Sequence, residues 1–136
     1  MIAGLDDRFG WSIEYTTSFQ ILALILVLSG YLFATWAMVE NRYYSAMVRI
    51  QKDRNQTVVS SGPYQYVPHP AYSGSIIVYL VLPVMLGSIW ALVPAGLIIV
   101  GLIFRTAFED RMLQEDLEGY RVYARKVKYR LLPGLW

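Results

Sequence analysis

The only histidine of the chain, His69, lies in a short segment crowded with prolines, glycines and tyrosines. The segment has the sequence SGPYQYVPHPAYSG over residues 61–74. Pro68 and Pro70 flank His69 and bias its backbone toward an extended conformation. An imidazole held in a rigid loop can contact a ligand or accept a proton, but the same rigidity suits an ordinary turn at the start of a helix. The histidine alone leaves both interpretations open.

A second polar cluster, RTAFED over residues 105–110, follows a long apolar stretch. Arg105 and Glu109 are four residues apart, so they share one face of a helix. Ionisable side chains at the end of a membrane helix are often functional. The alternative is a cationic anchor at the membrane surface with its ion-pair partner, and the spacing does not decide between the two.

The composition excludes several kinds of chemistry. The chain has no cysteine, which excludes disulfides, thiolate metal sites and cysteine nucleophiles. One histidine is too few for a histidine-built metal centre, so we predict no metal site. The net charge of +2 is too small to indicate a nucleic-acid partner.

Charged residues are absent from two long stretches of the chain. No Asp, Glu, Lys or Arg lies between Glu14 and Glu40, and none lies between Arg54 and Arg105. A helix needs about 20 apolar residues to cross a bilayer, so the first stretch fits one span and the second fits two. Only 16% of all residues are charged, against roughly 25% in a soluble domain. The sequence therefore predicts an integral membrane protein.

The predicted fold is all-α, with a single domain over residues 1–136. We expect three transmembrane helices at about 18–39, 71–86 and 89–104, the last two joined as a tight hairpin. The hairpin would bring the His69 loop and the Arg105 cluster to the same membrane face, where they can form one site. A C-terminal amphipathic helix follows, since apolar residues recur at helical spacing at Leu113, Leu117, Tyr120, Ala124 and Val127.

Small residues also fall at helical spacing on the first predicted span, at Gly30, Ala34 and Ala37. They form either a face for close packing against another helix or a chance scatter in an apolar segment. The turn of the predicted hairpin is assigned to Gly87 and Ser88, because both residue types are common in turns.

Lysine and arginine are distributed unevenly along the chain. Four lie between residues 40 and 70 and seven from Arg105 onward, against one in the N-terminal leader. The positive-inside rule then puts the N-terminus outside, with the 40–70 loop and the C-terminus in the cytoplasm. The leader lacks the basic region of a cleaved signal peptide.

The order G-x-Y, H-P-x-Y-x-G, an apolar hairpin and R-x-x-x-E-D resembles the isoprenylcysteine carboxyl methyltransferase and phospholipid methyltransferase family. GPYQYVPHPAYSG and RTAFED carry the match, and VRIQKDR and YRLLPGLW are similar to bacterial members. The resemblance implies an integral-membrane enzyme of the bacterial inner membrane that uses S-adenosylmethionine as its cofactor.

The resemblance also implies the residues of the site. Arg105 and Glu109 would be catalytic, with Arg105 facing the polar end of the acceptor. The cofactor-binding residues would be Gln56, Val59, Gly62, Tyr64, His69, Pro70, Tyr72, Gly74, Glu109 and Asp110. The chain departs from the family at Pro68, where relatives usually have arginine, and at Asn55–Gln56, where they have Gly-His.

The implied acceptor is lipid-like or prenylated, and O-methylation of a carboxylate is favoured. An amine acceptor would need a base, for which His69 or Glu109 are the candidates. The expected partners are membrane lipids and the acceptor, without nucleic acid. Relatives commonly have further N-terminal spans, so an acceptor pocket built from those spans would be incomplete here, or completed by a second copy or another subunit. A function of another class is a non-catalytic membrane protein that keeps the fold and acts as an interaction or cofactor-binding subunit.

Overall fold

The computed structural model describes residues 1–45, 47–132 and 134, and every regular element in these ranges is helical. The five α-helices are α1 (Ile2–Phe9), α2 (Thr17–Glu40), α3 (Pro70–Met85), α4 (Leu92–Asp116) and α5 (Tyr120–Lys126). Two short 3₁₀ turns, Lys52–Arg54 and Gly62–Gln65, lie in the connection between α2 and α3. The all-α class predicted from the sequence is confirmed for these ranges.

Two of the helices, α2 and α4, are long and apolar enough to cross a membrane by length and composition. Most of their large apolar side chains point away from the rest of the protein; Leu32, Leu97 and Phe104 are examples, each more than half exposed. Such surfaces suit lipid rather than water as the surrounding medium, and they indicate membrane association. The helix α3 is apolar but has only 16 residues, so its role as a third span stays a prediction.

The helix boundaries match the prediction for the first two segments and differ for the third. The predicted 89–104 segment was too short, because α4 begins at Leu92 and continues through the polar cluster to Asp116. After Arg105 the sequence has no glycine or proline until Gly119, which has a left-handed φ of 82°. The predicted amphipathic helix is therefore two pieces, since its first half belongs to α4 and only α5 is separate.

The helices α2 and α3 cross at very short range through two glycines. A Cβ atom built on Gly74 would lie 2.6 Å from the carbonyl oxygen of Gly30 and 2.9 Å from Cβ of Ala34. The buried face of α2 consists of small or medium residues, namely Ala23, Val27, Gly30, Ala34 and Ala37. Small side chains let two helix backbones approach closely. Of the two alternatives left open for Gly30, Ala34 and Ala37, the structure shows the packing face.

The N-terminal helix α1, which the sequence analysis treated as a leader, is attached to the far end of the bundle. Asp6 is 1% exposed and accepts hydrogen bonds from the backbone N–H of Ser12 (2.7 Å), its hydroxyl (2.6 Å) and the Ser88 hydroxyl. Burial raises the pKa of Asp6, but these hydrogen bonds outweigh it and lower the pKa. The Ser12 hydroxyl also accepts the Ile89 N–H at 2.9 Å, so α1 is held to the turn between α3 and α4.

We expect Gly74→Ala to destabilise the protein by about 1–3 kcal/mol, because the added methyl group forces the α2 and α3 backbones apart. The matched controls are Gly96→Ala and Gly101→Ala on α4, where no other atom lies within 4 Å of the new Cβ. These controls remove a helical glycine and should be neutral or slightly stabilising. Thermal unfolding of the purified protein in detergent, followed by circular dichroism, measures the difference. Equal midpoints for Gly74→Ala and the controls would contradict the close crossing.

Candidate functional site

A groove opens at the end of the bundle where α2 finishes and α4 emerges. Its walls come from the connection between α2 and α3, the first turn of α3, the C-terminal third of α4 and the start of α5. Six tyrosines line it: Tyr43, Tyr44, Tyr64, Tyr72, Tyr120 and Tyr123. The charged side chains in the lining are Glu109 and Arg49. The surface is therefore mainly aromatic, with one carboxylate and one cation.

The structure brings together about half of the residues predicted for the site. The residues that line the groove are Gln56, Val59, Tyr64, His69, Tyr72 and Glu109. The remaining predicted residues, Gly62, Pro70, Gly74, Arg105 and Asp110, are not part of its lining. The hairpin between α3 and α4 does join the two motif segments, as expected from the sequence.

Tyr72 connects the two motif segments through its hydroxyl group. The hydroxyl donates a hydrogen bond to Oε2 of Glu109 at 2.7 Å and accepts one from Nε of Arg105 at 2.7 Å. Arg105 also lies 5.8 Å from the centre of the Tyr72 ring. Because Arg105 and Glu109 share one face of α4, a single tyrosine on α3 reaches both. Arg105 does not line the groove itself, but it contacts Tyr72, which does.

Asp110 is a buried junction between four parts of the chain. Its Oδ1 atom accepts a hydrogen bond from the Tyr120 hydroxyl at 3.0 Å and lies 3.6 Å from Nε2 of His69. Its Oδ2 atom accepts hydrogen bonds from Nε of Arg130 and Nε2 of Gln114, both at 2.7 Å. With only 3% of Asp110 exposed, this carboxylate joins α4 to the His69 loop, to α5 and to the C-terminal tail.

The backbone around His69 is fixed by the C-terminal tail. The His69 N–H donates to the carbonyl oxygen of Arg130 at 3.2 Å, and the Ser73 hydroxyl donates to the carbonyl oxygen of Leu131. The His69 ring is stacked on Tyr72, with 6.0 Å between ring centres. The stiff loop predicted from Pro68 and the residues around it is thus held in place from outside as well.

Gly62 and Tyr64 fix the position of the loop before α3. Gly62 has a left-handed φ of 53°, and a Cβ atom there would lie 3.0 Å from Cδ of Glu40. Tyr64 places its hydroxyl 3.3 Å from the carbonyl oxygen of Ala37, and its own carbonyl accepts the Tyr123 hydroxyl at 2.7 Å. These contacts connect the loop before α3 to the end of α2 and to α5.

Three buried tyrosines of the groove keep their protons well above neutral pH. Burial raises the pKa of Tyr64 to about 12. Burial also raises the pKa of Tyr120 and Tyr123, and the charge of Asp110 adds to both shifts. Their hydroxyl groups are therefore donors in the hydrogen bonds described above, and this end of the bundle loses stability as the pH rises past about 10, where unfolded tyrosine ionises.

Sequence reasoning missed several residues that line or hold the groove. Tyr120 and Tyr123 were assigned at most to an amphipathic helix, although two tyrosines on one face of a polar helix could have been noticed. Arg49, within the VRIQKDR segment, and Asn41 were not assigned to the site, because they lie outside any helix. Arg130 lies too far along the chain from His69 and Asp110 for any local spacing to connect them.

The comparison with known proteins gives one match. A family model described as phospholipid methyltransferase matches residues 18–118, which include α3, α4 and all of α2 except its first residue. Neither the curated proteins nor the solved structures give a significant match to this chain. The matched range covers both motif segments and stops before α5.

We expect Asp110→Asn to destabilise the protein by about 2 kcal/mol. The loss should be smaller than the 3–5 kcal/mol of a wholly buried pair, because the Arg130 side chain is 36% exposed and solvent screens its charge. The control is Glu115→Gln on the same helix, whose ion pair with Arg111 is exposed and should change stability by less than about 0.5 kcal/mol. Thermal unfolding in detergent compares the two variants. A midpoint for Asp110→Asn as close to wild type as the control would contradict the junction.

Proposed function

The chain belongs to the phospholipid methyltransferase family, and on that premise we propose that it transfers a methyl group from S-adenosylmethionine to a lipid-like or prenylated acceptor. Membership implies a methyltransferase with lipid-like substrates; the cofactor, the acceptor group and the membrane face belong to the proposal. The observation that carries it is the position of Glu109 and Tyr72, hydrogen-bonded to each other in a tyrosine-lined groove.

The side chains of the groove suit a cationic cofactor. When bound, S-adenosylmethionine supplies a methyl group that moves to the acceptor as its bond to the sulfonium sulfur breaks, a displacement that depends on in-line positioning. Glu109 can pair with the ammonium group of the cofactor, and tyrosine rings attract a positive charge. The amide nitrogen of Gln56, in the same lining, can donate a hydrogen bond to the adenine edge. The donor set therefore fits the cofactor.

The space in the groove requires one wall to move. Its volume is about 80 Å³, whereas sites for small molecules usually have roughly 300–1,000 Å³. The part of the lining that follows α2 includes Tyr44, Met47 and Val48, which are all exposed and lie outside any helix. Moving them outward breaks little buried contact. The proposal therefore includes an outward shift of this segment when the cofactor binds.

A carboxylate acceptor agrees best with the groups around the groove. A carboxylate needs no base, and Nε2 of His69 is directed at Asp110 and Tyr120 rather than left available for proton transfer. Arg49 is the cation of the lining and can orient a carboxylate through a charge-assisted hydrogen bond. In this arrangement Arg105 positions Tyr72, and Tyr72 in turn positions Glu109.

The proposal extends to the arrangement in the membrane. The helix α3 would be a short third span of about 24 Å, next to α2 and α4. The N-terminus would lie outside and the groove and C-terminus on the cytoplasmic side of a bacterial inner membrane, since eleven of the twelve Lys and Arg residues belong to the groove end. Completion of the acceptor pocket by a second copy or another subunit stays a prediction.

One observation favours a non-catalytic cofactor-binding subunit as the second candidate. Pro68 and Gln56 both line the groove at positions where relatives usually have arginine and histidine. The Gln56 side chain accepts a hydrogen bond from the backbone N–H of Gln51 at 2.7 Å and so holds the loop. As an amide, it cannot carry the charge of a histidine. Cofactor binding without methyl transfer to any acceptor would support this second candidate.

We expect Glu109→Gln to weaken S-adenosylmethionine binding by about 10- to 100-fold, the value of one charge-assisted hydrogen bond. Isothermal titration of the detergent-purified protein measures this, with Glu115→Gln as a control that removes the same charge from an exposed position of the same helix. The control should bind like wild type. If folded wild-type protein does not bind the cofactor, the proposed function fails; if both variants bind alike, the site lies elsewhere.

We expect the transferred methyl group to form an ester that alkali hydrolyses. Radioactive methyl transfer to prenylated cysteine and to phosphatidylethanolamine separates the two acceptor classes, because base releases methanol from an ester but leaves an N-methyl group in place. Volatile radioactivity from the prenylated acceptor would agree with O-methylation. Base-stable label on the amine would overturn the choice of a carboxylate and leave Glu109 as the proton acceptor.

A further inference from the structure

Basic side chains concentrate on two segments that meet at the groove end of the bundle. Residues 41–59 have four Lys or Arg and one Asp, and residues 119–130 have five Lys or Arg and no acidic residue. Ile50 and Val58 of the first segment pack against the aromatic cluster that contains Tyr120 and Tyr123 of the second. The segments therefore form one surface, here named the basic cap, with Arg42, Arg49, Lys52, Arg54, Arg121, Arg125, Lys126, Lys128 and Arg130.

Five cations of the basic cap have no acidic partner in the part of the chain that the structure describes. They are exposed and form none of its ion pairs: Arg49, Lys52, Arg125, Lys126 and Lys128. Arg42 and Arg54 lie over the Tyr43 ring, and Arg121 bonds to the carbonyl oxygen of Gln114.

The acidic residues near the basic cap are too few to neutralise it. Asp53 belongs to the cap segment itself, and Glu115, Asp116 and Glu118 are next to it along the chain. Glu115 is already paired with Arg111. Asp110, which pairs with Arg130, and Glu40 and Glu109 bring the carboxylates near the cap to seven. The nine cations still outnumber them, so the surface keeps an excess of positive charge.

The basic cap lies where the apolar helices end. It begins directly after Glu40, the last residue of α2, and α5 follows α4 after a short turn. The opposite end of the bundle has the reverse charge, with Asp6, Asp7 and Glu14 against Arg8. Clusters of four to eight Lys or Arg next to a membrane helix attract anionic lipids. Arg49 belongs both to the cap and to the groove lining.

We propose that the basic cap binds the phosphate of anionic phospholipid headgroups and thereby holds the groove mouth at an anionic membrane surface. This goes beyond methyl transfer, because the surface would act whether or not the bound lipid is an acceptor. The binding is electrostatic, so it should discriminate phosphatidylglycerol from zwitterionic phosphatidylcholine. High salt should weaken it, since the cations concerned are exposed.

The test measures displacement of fluorescent phosphatidylglycerol from the full-length protein in a neutral detergent, by fluorescence anisotropy. Unlabelled phosphatidylglycerol should compete at least tenfold better than phosphatidylcholine, and inorganic phosphate should compete poorly. The double variant Lys126→Gln/Lys128→Gln should bind the lipid about 25-fold more weakly, at roughly fivefold for each charge. The control, Arg8→Gln, removes a positive charge from the opposite end of the bundle and should bind like wild type.

A second variant, Arg49→Gln/Lys52→Gln, tests the other segment of the cap and should show the same loss if the two segments act as one surface. Equal competition by phosphatidylcholine would overturn the proposal, as would equal loss in the control. Competition by inorganic phosphate as strong as that of the lipid would replace it with a site for free phosphate. Because none of these measurements uses S-adenosylmethionine, they can fail while the proposed function stands, and the reverse also holds.

Discussion

A buried carboxylate needs partners, and Asp110 obtains them from parts of the chain that are distant in sequence. Its hydrogen bonds and ion pair come from α5, the C-terminal tail, the His69 loop and its own helix. Removing it from water is favourable only while these partners are present together. The geometry of the groove therefore depends on the C-terminal tail, although the tail is not part of the groove lining.

The sequence predicted the large-scale order of the molecule because that order follows from composition. The long apolar stretches predicted the bounds of α2 and α3 to within one residue at each end. The small residues of α2 also marked a candidate face for packing, and this face contacts α3. The end of α4 was less accessible to such reasoning. Hydropathy changes at Arg105, but helical hydrogen bonding continues for eleven more residues, since a polar sequence is as able to be helical as an apolar one.

The site was predictable in outline and less so in its internal arrangement. The resemblance to a family identified His69, Tyr72 and Glu109 together, yet it could not show which of the motif residues face the groove. Asp110 and Gly74 have roles in holding the fold, and Arg105 contacts Tyr72. Tertiary contacts decide such roles: a spacing of one residue, from Glu109 to Asp110, turns one carboxylate toward the groove and the other toward the tail.

The attachment of Asp6 to Ser88 has a consequence for the order of assembly during synthesis. The two residues are 82 positions apart, so Asp6 leaves the ribosome, and α2 is complete, long before Ser88 exists. Until then the Asp6 carboxylate lacks the Ser88 hydroxyl as a partner, and water must take its place. The contact closes only after the turn between α3 and α4 has been synthesised, so it forms later than the helix that it holds. A nascent chain that placed the hairpin wrongly would leave Asp6 exposed and α1 free, a form that proteases could distinguish from the finished protein.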